Sequence, residues 1–309
     1  MKKIIALILV LTLSIFAFAA CGKKDKGNEN NEPNNNETNN NETNTPVEKN
    51  YTLSLAVETA IDGLKVSNYV AVLVLDEANK IVAVRIDCAE TTVALENGAL
   101  KATNVTSKVE LGDKYNMTSG SFANQTKAFE YAIVGKTADE VANLDMSLVT
   151  GCTMPYSPAS FKTVVAKAFT TANKTTFKTA ETLTVGAAVA MKVSGTKASA
   201  DYAGTVLAGG KVVATILDSN EVAFTIDGET VTANAYAGTK ADKGDAYMMP
   251  AGNWLNQAKA FSASTVGKTV AELENLEVVS DALAQAGCTM QNTTAGYKAT
   301  IIKAANNAR

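Results

Sequence analysis

The stretch YVAVLVLDEANKIVAVRID (residues 69–87) decides the kind of fold that this chain can form. It contains two runs of β-branched and apolar residues on either side of the polar turn DEAN. The next stretch, TTVALENGALKATNV (91–105), repeats this pattern around Asn97-Gly98, a dipeptide that favours a tight hairpin turn. Together the two stretches predict consecutive antiparallel strands joined by hairpins.

Three predicted helices follow these strands. In SFANQTKAFEYAIVG (121–135), apolar residues recur at helical spacing. In TADEVANL (137–144), Thr137 and Glu140 have the spacing of a capping box, and in SPASFKTVVAKAFT (157–170), Pro158 suits the first turn of a helix. A group of strands followed by a group of helices predicts an α+β fold with an antiparallel sheet.

The second half of the chain repeats the first. NQTKAF begins at residue 124 and NQAKAF at residue 256, and VGKTADEVANL (134–144) returns as VGKTVAELENL (266–276), so both pairs are separated by 132 residues. Two long repeats are typical of paired globular domains, because solenoids stack shorter units. We therefore predict two tandem homologous domains, 51–172 and 173–309, each an antiparallel sheet followed by packed helices.

The first 50 residues differ from the rest. MKK and an apolar run lead to FAAC, which predicts an export signal over residues 1–20. FAAC resembles the bacterial lipobox, and this resemblance implies that Cys21 becomes the lipidated first residue and anchors the chain in the membrane. An ordinary secretory cleavage or an uncleaved anchor remains an alternative. Residues 21–50 are rich in Asn, Glu and Thr, which predicts a disordered tether at the outer face of the cell membrane.

The composition excludes several kinds of chemistry. The 309 residues contain no His, which excludes His-based hydrolases and His-ligated metal sites. The net charge of -3 does not favour nucleic acid as a partner. Apart from Cys21, the Cys residues are Cys88, Cys152 and Cys288, and they show no CxxC spacing. We expect Cys152 and Cys288 to be buried as small hydrophobic residues; the alternative is a redox pair.

The tetrapeptide GCTM occurs once in each half, in LVTGCTMPYSPASFK (148–162) and AQAGCTMQNTTAGYK (284–298), ahead of a predicted helix. TGCT at 150–153 resembles the S/T-G-A-S/T motif of the FMN-binding domain family, in which a flavin transferase joins FMN to the last residue through a phosphoester. Cys stands where that family usually has Ala, and Ala286 stands where it has Ser or Thr. The resemblance implies covalent FMN on Thr153 and Thr289. Gly151 and Gly287 would let the backbone approach the phosphate, and the small side chains of Cys152 and Cys288 would leave room for the transferase.

Two such motifs on a tethered lipoprotein resemble the flavinylated lipoproteins of flavin-based extracellular electron transfer in Gram-positive bacteria. The resemblance implies an electron carrier more than an enzyme. It would relay electrons from a membrane donor, such as a quinone-linked dehydrogenase, to extracellular acceptors. The alternative is a cofactor-free tandem-repeat surface lipoprotein that binds a ligand or a cell-wall polymer, in which the Gly of GCTM ends a loop and the Thr caps a helix.

Other positions are also shared by the two halves. Asn124-Gln125 and Asn256-Gln257 lie on a predicted helix, where they would contact a flavin ring edge or serve as solvated or capping residues. A set of aromatic and Met residues would either wall a flavin ring or belong to the core, and helical spacing favours the core. These residues are Tyr115, Met117, Phe122, Tyr247, Met249 and Trp254.

Overall fold

The computed structural model describes residues 47–153, 157–290 and 294–309. The predicted signal peptide, Cys21 and most of the predicted tether lie outside the described residues. The first described element, strand β1, begins at Lys49, so it includes the last two residues that the sequence placed in the tether.

The first half begins with four antiparallel strands: β1 (Lys49–Asp62), β2 (Lys65–Leu75), β3 (Ile81–Glu96) and β4 (Ala99–Ala102). The predicted hairpin at Asn97-Gly98 is confirmed, because Glu96 pairs with Ala99 and both turn residues have positive φ, 52° and 75°. Positive φ at both central positions is what a type I′ turn requires, and it suits Asn and Gly.

Among the described residues, the part of the first half that follows these strands contains four α-helices and a short hairpin. The helices are α1 (Lys108–Leu111), α2 (Phe122–Ile133), α3 (Ala138–Ala142) and α4 (Ser157–Thr170). Strands β5 (Asn116–Met117) and β6 (Gly120–Ser121) form the hairpin, between α1 and α2. The predicted capping box at Thr137 and Glu140 is confirmed at the start of α3.

The second half has the same order of elements after one additional strand, β7 (Lys174–Thr179), except for one additional short helix ahead of its last helix. Its strands are β8 (Leu183–Ser194), β9 (Lys197–Ala208), β10 (Lys211–Asp227), β11 (Thr230–Ala233), β12 (Met248–Met249) and β13 (Gly252–Asn253). Its helices are α5 (Lys240–Lys243), α6 (Trp254–Ala263), α7 (Val270–Glu274), α8 (Asp281–Gln285) and α9 (Thr294–Asn306). The α+β class and the repeated sheet-then-helix order are therefore as predicted.

The strands form two large antiparallel sheets, with the strand orders β4-β3-β2-β1-β7 and β11-β10-β9-β8. Strand β7 lies just after the predicted domain boundary at 172/173, but it pairs with β1, where Lys49 opposes Thr179 and Ser54 opposes Lys174. A strand assigned by sequence to the second half thus completes the sheet of the first half. The boundary itself stays a prediction.

The two curled sheets share an inner core, and helices cover their outer faces. Along β2, Val70 and Val72 belong to the inner core, whereas Ala71 and Leu73 pack with the helices of the first half. This alternation explains why the run YVAVLVL is apolar at almost every position, since both faces of the strand are buried. Residues of β8, β9 and β10 complete the inner core, and the described residues belong to one compact unit.

Reciprocal contacts join the helices of each half to the other half. Lys167 of α4 donates hydrogen bonds to the Val57 carbonyl and to Asp242 of α5, both at 2.8 Å. In the equivalent place, Lys303 of α9 donates to the Val189 carbonyl at 2.8 Å and to Glu110 of α1 at 2.6 Å. The two halves are therefore related by an approximate twofold arrangement.

Candidate functional site

The glycines of the two GCTM segments have similar backbone conformations. Gly151 and Gly287 have φ values of 82° and 92°, in the left-handed region where a side chain is strained. A β-carbon added at Gly151 would meet only Ala128 Cβ, at an ordinary 3.5 Å. The backbone conformation, more than crowding, explains why glycine occupies this position.

The cysteine that follows each glycine packs in the core between the sheet and the helices of its own half, here called the outer core of that half. Cys152 and Cys288 are 4% and 5% exposed, as predicted for small hydrophobic residues. They belong to different cores, because Cys152 packs with the helices of the first half and Cys288 with those of the second. A redox pair between them is therefore excluded.

The thiols of Cys88 and Cys288 are also poor nucleophiles. Cys88 lies fully buried in β3, where burial raises its pKa to about 12, and burial also raises the pKa of Cys288. A thiol with a raised pKa carries little reactive thiolate at neutral pH. Among the described residues, Cys88, Cys152 and Cys288 form no disulfide.

The threonine of each segment points outward and is held by a buried glutamine. Thr153 and Thr289 are exposed, and their backbone N–H groups donate to Gln125 Oε1 and Gln257 Oε1, both at 2.9 Å. Their hydroxyls lie 3.5 and 3.0 Å from the same oxygens. One exposed hydroxyl is therefore positioned in the same way in each half.

Each glutamine also joins the GCTM segment to the neighbouring hairpin. Gln125 and Gln257 are 1% and 0% exposed, and their Nε2 atoms donate to the Gly120 and Gly252 carbonyls, both at 3.2 Å. The oxygen and the nitrogen of each carboxamide therefore both have hydrogen-bond partners within the chain. The predicted contact with a flavin ring edge is not needed to explain why these glutamines are buried. The sequence analysis noted the repeated NQ dipeptide but did not assign this role to the glutamines.

The threonines lie close to the helices that follow them. The described residues of α4 and α9 begin at Ser157 and Thr294, four and five residues beyond Thr153 and Thr289. An N-cap residue directly precedes the first helical residue. Met290, which follows Thr289, is not helical, so Thr289 is not an N-cap residue. Residues 154–156 lie outside the described part, so the capping alternative for Thr153 stays a prediction.

The shared aromatic residues belong mainly to the core, as the spacing favoured. Phe122 and Trp254 are each 1% exposed, and Trp254 Nε1 donates to the Tyr297 hydroxyl at 3.1 Å. Tyr115 and Tyr247 are partly buried against their outer cores, and the ammonium groups of Lys108 and Lys240 lie 4.8 and 5.4 Å from the centroids of these rings.

Two large cavities lie away from the GCTM segments. One, of 640 Å³, lies between β7, β10 and α6, and the other, of 570 Å³, lies beside β3 and α2. Neither Thr153 nor Thr289 lines either cavity. Both threonines are instead exposed at the surface.

The repeats also share a buried aspartate that sequence analysis did not assign. Asp87 Oδ1 accepts from the N–H groups of Cys88 and Val109 at 2.7 and 3.1 Å. Asp218 Oδ1 accepts from Ser219 and Ala241 at the same distances, so each aspartate joins its sheet to the start of α1 or α5. Burial raises the pKa of Asp87 to about 6 and that of Asp218 to about 7.

No model of a known protein family, no curated protein and no solved structure matches this chain. In the described part of the chain, the helices are too short or too polar to cross a membrane.

Proposed function

We propose that this chain is a lipid-anchored electron carrier with one FMN covalently attached to Thr153 and one to Thr289. The observation that carries the proposal is the pair of exposed threonine hydroxyls, each held by a buried glutamine at the equivalent place of the two halves. A flavin transferase needs a hydroxyl that it can reach, and a rigid support presents that hydroxyl in one position. The resemblance of TGCT to the acceptor motif of FMN-binding domains supplies the identity of the group.

The residues around each threonine fit an attached group of this kind. The glycine permits the turn, the buried cysteine fixes the backbone, and the glutamine holds the threonine N–H. Bound FMN would supply reversible one- and two-electron chemistry. Because both threonines are exposed, a ring attached there would remain accessible to soluble and membrane-bound redox partners.

Intact mass after coexpression with a flavin transferase tests this proposal. Wild-type protein should carry two FMN groups, and Thr153→Ala or Thr289→Ala should each carry one. The double variant should carry none and should lose redox turnover while remaining folded. Thr118→Ala removes an exposed hydroxyl from the nearby hairpin turn and serves as the matched control, which should retain both groups.

Two outcomes would contradict the assignment: a wild-type mass without FMN, or flavin retained covalently on the double variant. A colourless protein under these conditions would instead support the cofactor-free surface lipoprotein.

The anchoring at Cys21 requires a separate experiment, because this residue lies outside the described part. Cys21→Ser should release the protein from the membrane or leave its signal uncleaved, since the thioether needs the sulfur atom. Detergent partition and the mass of the mature N-terminus provide the measurement. A wild-type N-terminus at any other residue would exclude lipidation at Cys21.

A further inference from the structure

The two large cavities occupy equivalent places in the two halves, but different residues line them. Both lie between the third strand of a half, β3 or β10, and the long helix that follows the short hairpin, α2 or α6. The repeat aligns Glu130 of α2 with Ser262 of α6. It also aligns Arg85 and Ile86 of β3 with Ile216 and Leu217 of β10. The contacts at this position in the first half therefore indicate which groups the equivalent position in the second half can bind.

In the first half, a carboxylate of the chain itself occupies the place. Glu130 is 3% exposed, and its Oε1 accepts from the Ile86 N–H at the edge of β3, at 2.8 Å. Its Oε2 pairs with Arg85 Nη1 at 3.4 Å and with Arg309 Nη2 at 2.8 Å. The buried Ile86 N–H thus donates to a carboxylate, and two arginine side chains pair with that carboxylate.

In the second half, the equivalent donors are present without that carboxylate. Ser262 is 5% exposed and lines the 640 Å³ cleft, and its Oγ has no hydrogen-bond partner among the described residues. The Leu217 carbonyl accepts from Asn173 Nδ2 at 2.9 Å, on the side of β10 that faces the cleft. Because the N–H and C=O of one residue point to the same side of an antiparallel strand, the Leu217 N–H also points to that side.

The remainder of the cleft is apolar inside and basic at its rim. Phe177, Ile216, Leu255 and Ala258 are buried residues that line it. Its charged lining residues are Lys174, Lys178, Lys211, Lys259 and Glu181. Four cations against one anion favour a negatively charged ligand, and the apolar wall favours one with a hydrocarbon body.

We propose that the cleft between β7, β10 and α6 binds a small carboxylate with an apolar body. The ligand carboxylate takes the position that the Glu130 carboxylate has in the first half. It accepts hydrogen bonds from the Leu217 N–H and the Ser262 hydroxyl, while the lysines at the rim offset its charge. This inference concerns a place distinct from the GCTM segments and does not depend on flavin attachment.

Calorimetric titration of the full chain with octanoate, and with neutral octanamide, tests the inference. Octanoate should bind with a 1:1 stoichiometry, and octanamide should bind at least about tenfold more weakly because it lacks the charge. Acetate should bind still more weakly, because it has no hydrocarbon body to bury. In amide NMR spectra, octanoate should shift the signal of Leu217.

Ser262→Gln provides the decisive variant, because its side-chain carbonyl can accept from the Leu217 N–H as Glu130 does from Ile86. It should weaken octanoate binding by at least about tenfold, a factor that calorimetry resolves. Asn256→Gln, which places the same side chain on an exposed position of α6, is the matched control and should bind like wild type. Should Ser262→Gln fail to fold, Ser262→Ala, which removes only the hydroxyl, should still weaken binding.

Absence of octanoate binding to the wild-type chain would overturn the inference. Equal binding by the Ser262 variant and by Asn256→Gln, or equal binding of octanoate and octanamide, would overturn it as well.

Discussion

At the scale of single residues, buried polar groups organise both halves in the same way. Gln125 and Gln257 hold the GCTM segments, and Asp87 and Asp218 hold the starts of α1 and α5. A buried group of this kind stabilises the fold only while its partners are present, because an unpaired buried donor or acceptor costs about 1 to 3 kcal/mol. The duplication has therefore kept the glutamines and aspartates together with the backbone groups that they bind.

The raised pKa of Asp218 predicts a specific dependence of stability on pH. Between the ordinary aspartate pKa and about 7, the folded protein keeps a proton that the unfolded chain has lost. The free energy of unfolding should therefore decrease as pH rises through this range, by at most about 1.4 kcal/mol per pH unit for this proton. Asp218→Asn keeps an oxygen acceptor for Ser219 and Ala241 but cannot titrate. Its unfolding free energy should fall less between about pH 5 and pH 7.

Urea denaturation of wild type and Asp218→Asn at several pH values provides the measurement. Asp145→Asn changes an aspartate on the surface and is a suitable control, because the pKa of Asp145 is lowered by its hydrogen bonds to Ser147 and not raised by burial. Parallel pH profiles for wild type and Asp218→Asn would contradict the prediction.

At the scale of elements, a lysine on the last helix of each half donates to carbonyls at or just beyond the end of a short helix, α3 in the first half and α7 in the second. Lys162 of α4 donates to the Ala142 carbonyl at 3.2 Å and also to the Leu144 carbonyl. Lys298 of α9 donates to the Glu274 and Leu276 carbonyls at 2.9 and 3.2 Å. The last carbonyls of a helix have no partner within the helix, so a cation there is stabilising. This explains the lysine that both halves retain after GCTM.

The packing of α9 on β8 predicts a large effect of one methyl group. A β-carbon added at Gly186 would lie 1.8 Å from the Ala304 carbonyl oxygen, so Gly186→Ala forces the helix away from the sheet. We expect a loss of about 1 to 3 kcal/mol or more in the free energy of unfolding. Gly296→Ala, within α9, meets only an Asp201 oxygen at 3.4 Å and should be neutral or stabilising by up to about 1 kcal/mol, because alanine favours helix.

Thermal and urea unfolding of the two glycine variants provide the comparison. Equal stability of Gly186→Ala and wild type would show that α9 does not pack closely on β8.

At the scale of the whole molecule, the halves depend on each other. The inner core contains residues from both large sheets, β7 joins the sheet of the first half, and Lys167 and Lys303 cross between the halves. A half on its own would expose one apolar face of its sheet to water, at a cost that grows with the exposed area. Mutual burial, more than the connecting chain, should therefore hold the halves together.

We predict that the separate fragments 47–180 and 181–309 do not fold independently, whereas the full chain unfolds in one cooperative transition. Circular dichroism and calorimetry of the fragments, alone and mixed, provide the measurement. Partial recovery of structure on mixing is expected, because the inner faces are complementary. Two separate unfolding transitions in the full chain, or a fragment that folds alone, would contradict this prediction and favour two independent domains.

Local patterns were sufficient for much of the fold. The β-branched and apolar runs, the Asn97-Gly98 turn and the Thr137 capping box each depend on neighbouring residues, so the strands, the hairpin and the helix start could be predicted from sequence. The duplication likewise predicted that the second half would repeat the first. The two threonines could be chosen from the repeated GCTM motif, but their exposure could not.

Only the tertiary structure decided how these parts are combined. The pairing of β7 with β1, the shared inner core and the glutamines behind Thr153 and Thr289 join residues far apart in the chain, and no local pattern encodes such contacts. The cleft beside Ser262 is another example. Its proposed ligand was inferred from the position that the Glu130 side chain occupies in the first half, and that position depends on tertiary packing. The sequence thus determined the repeated elements, whereas long-range packing determined which of their surfaces are buried and which remain available for function.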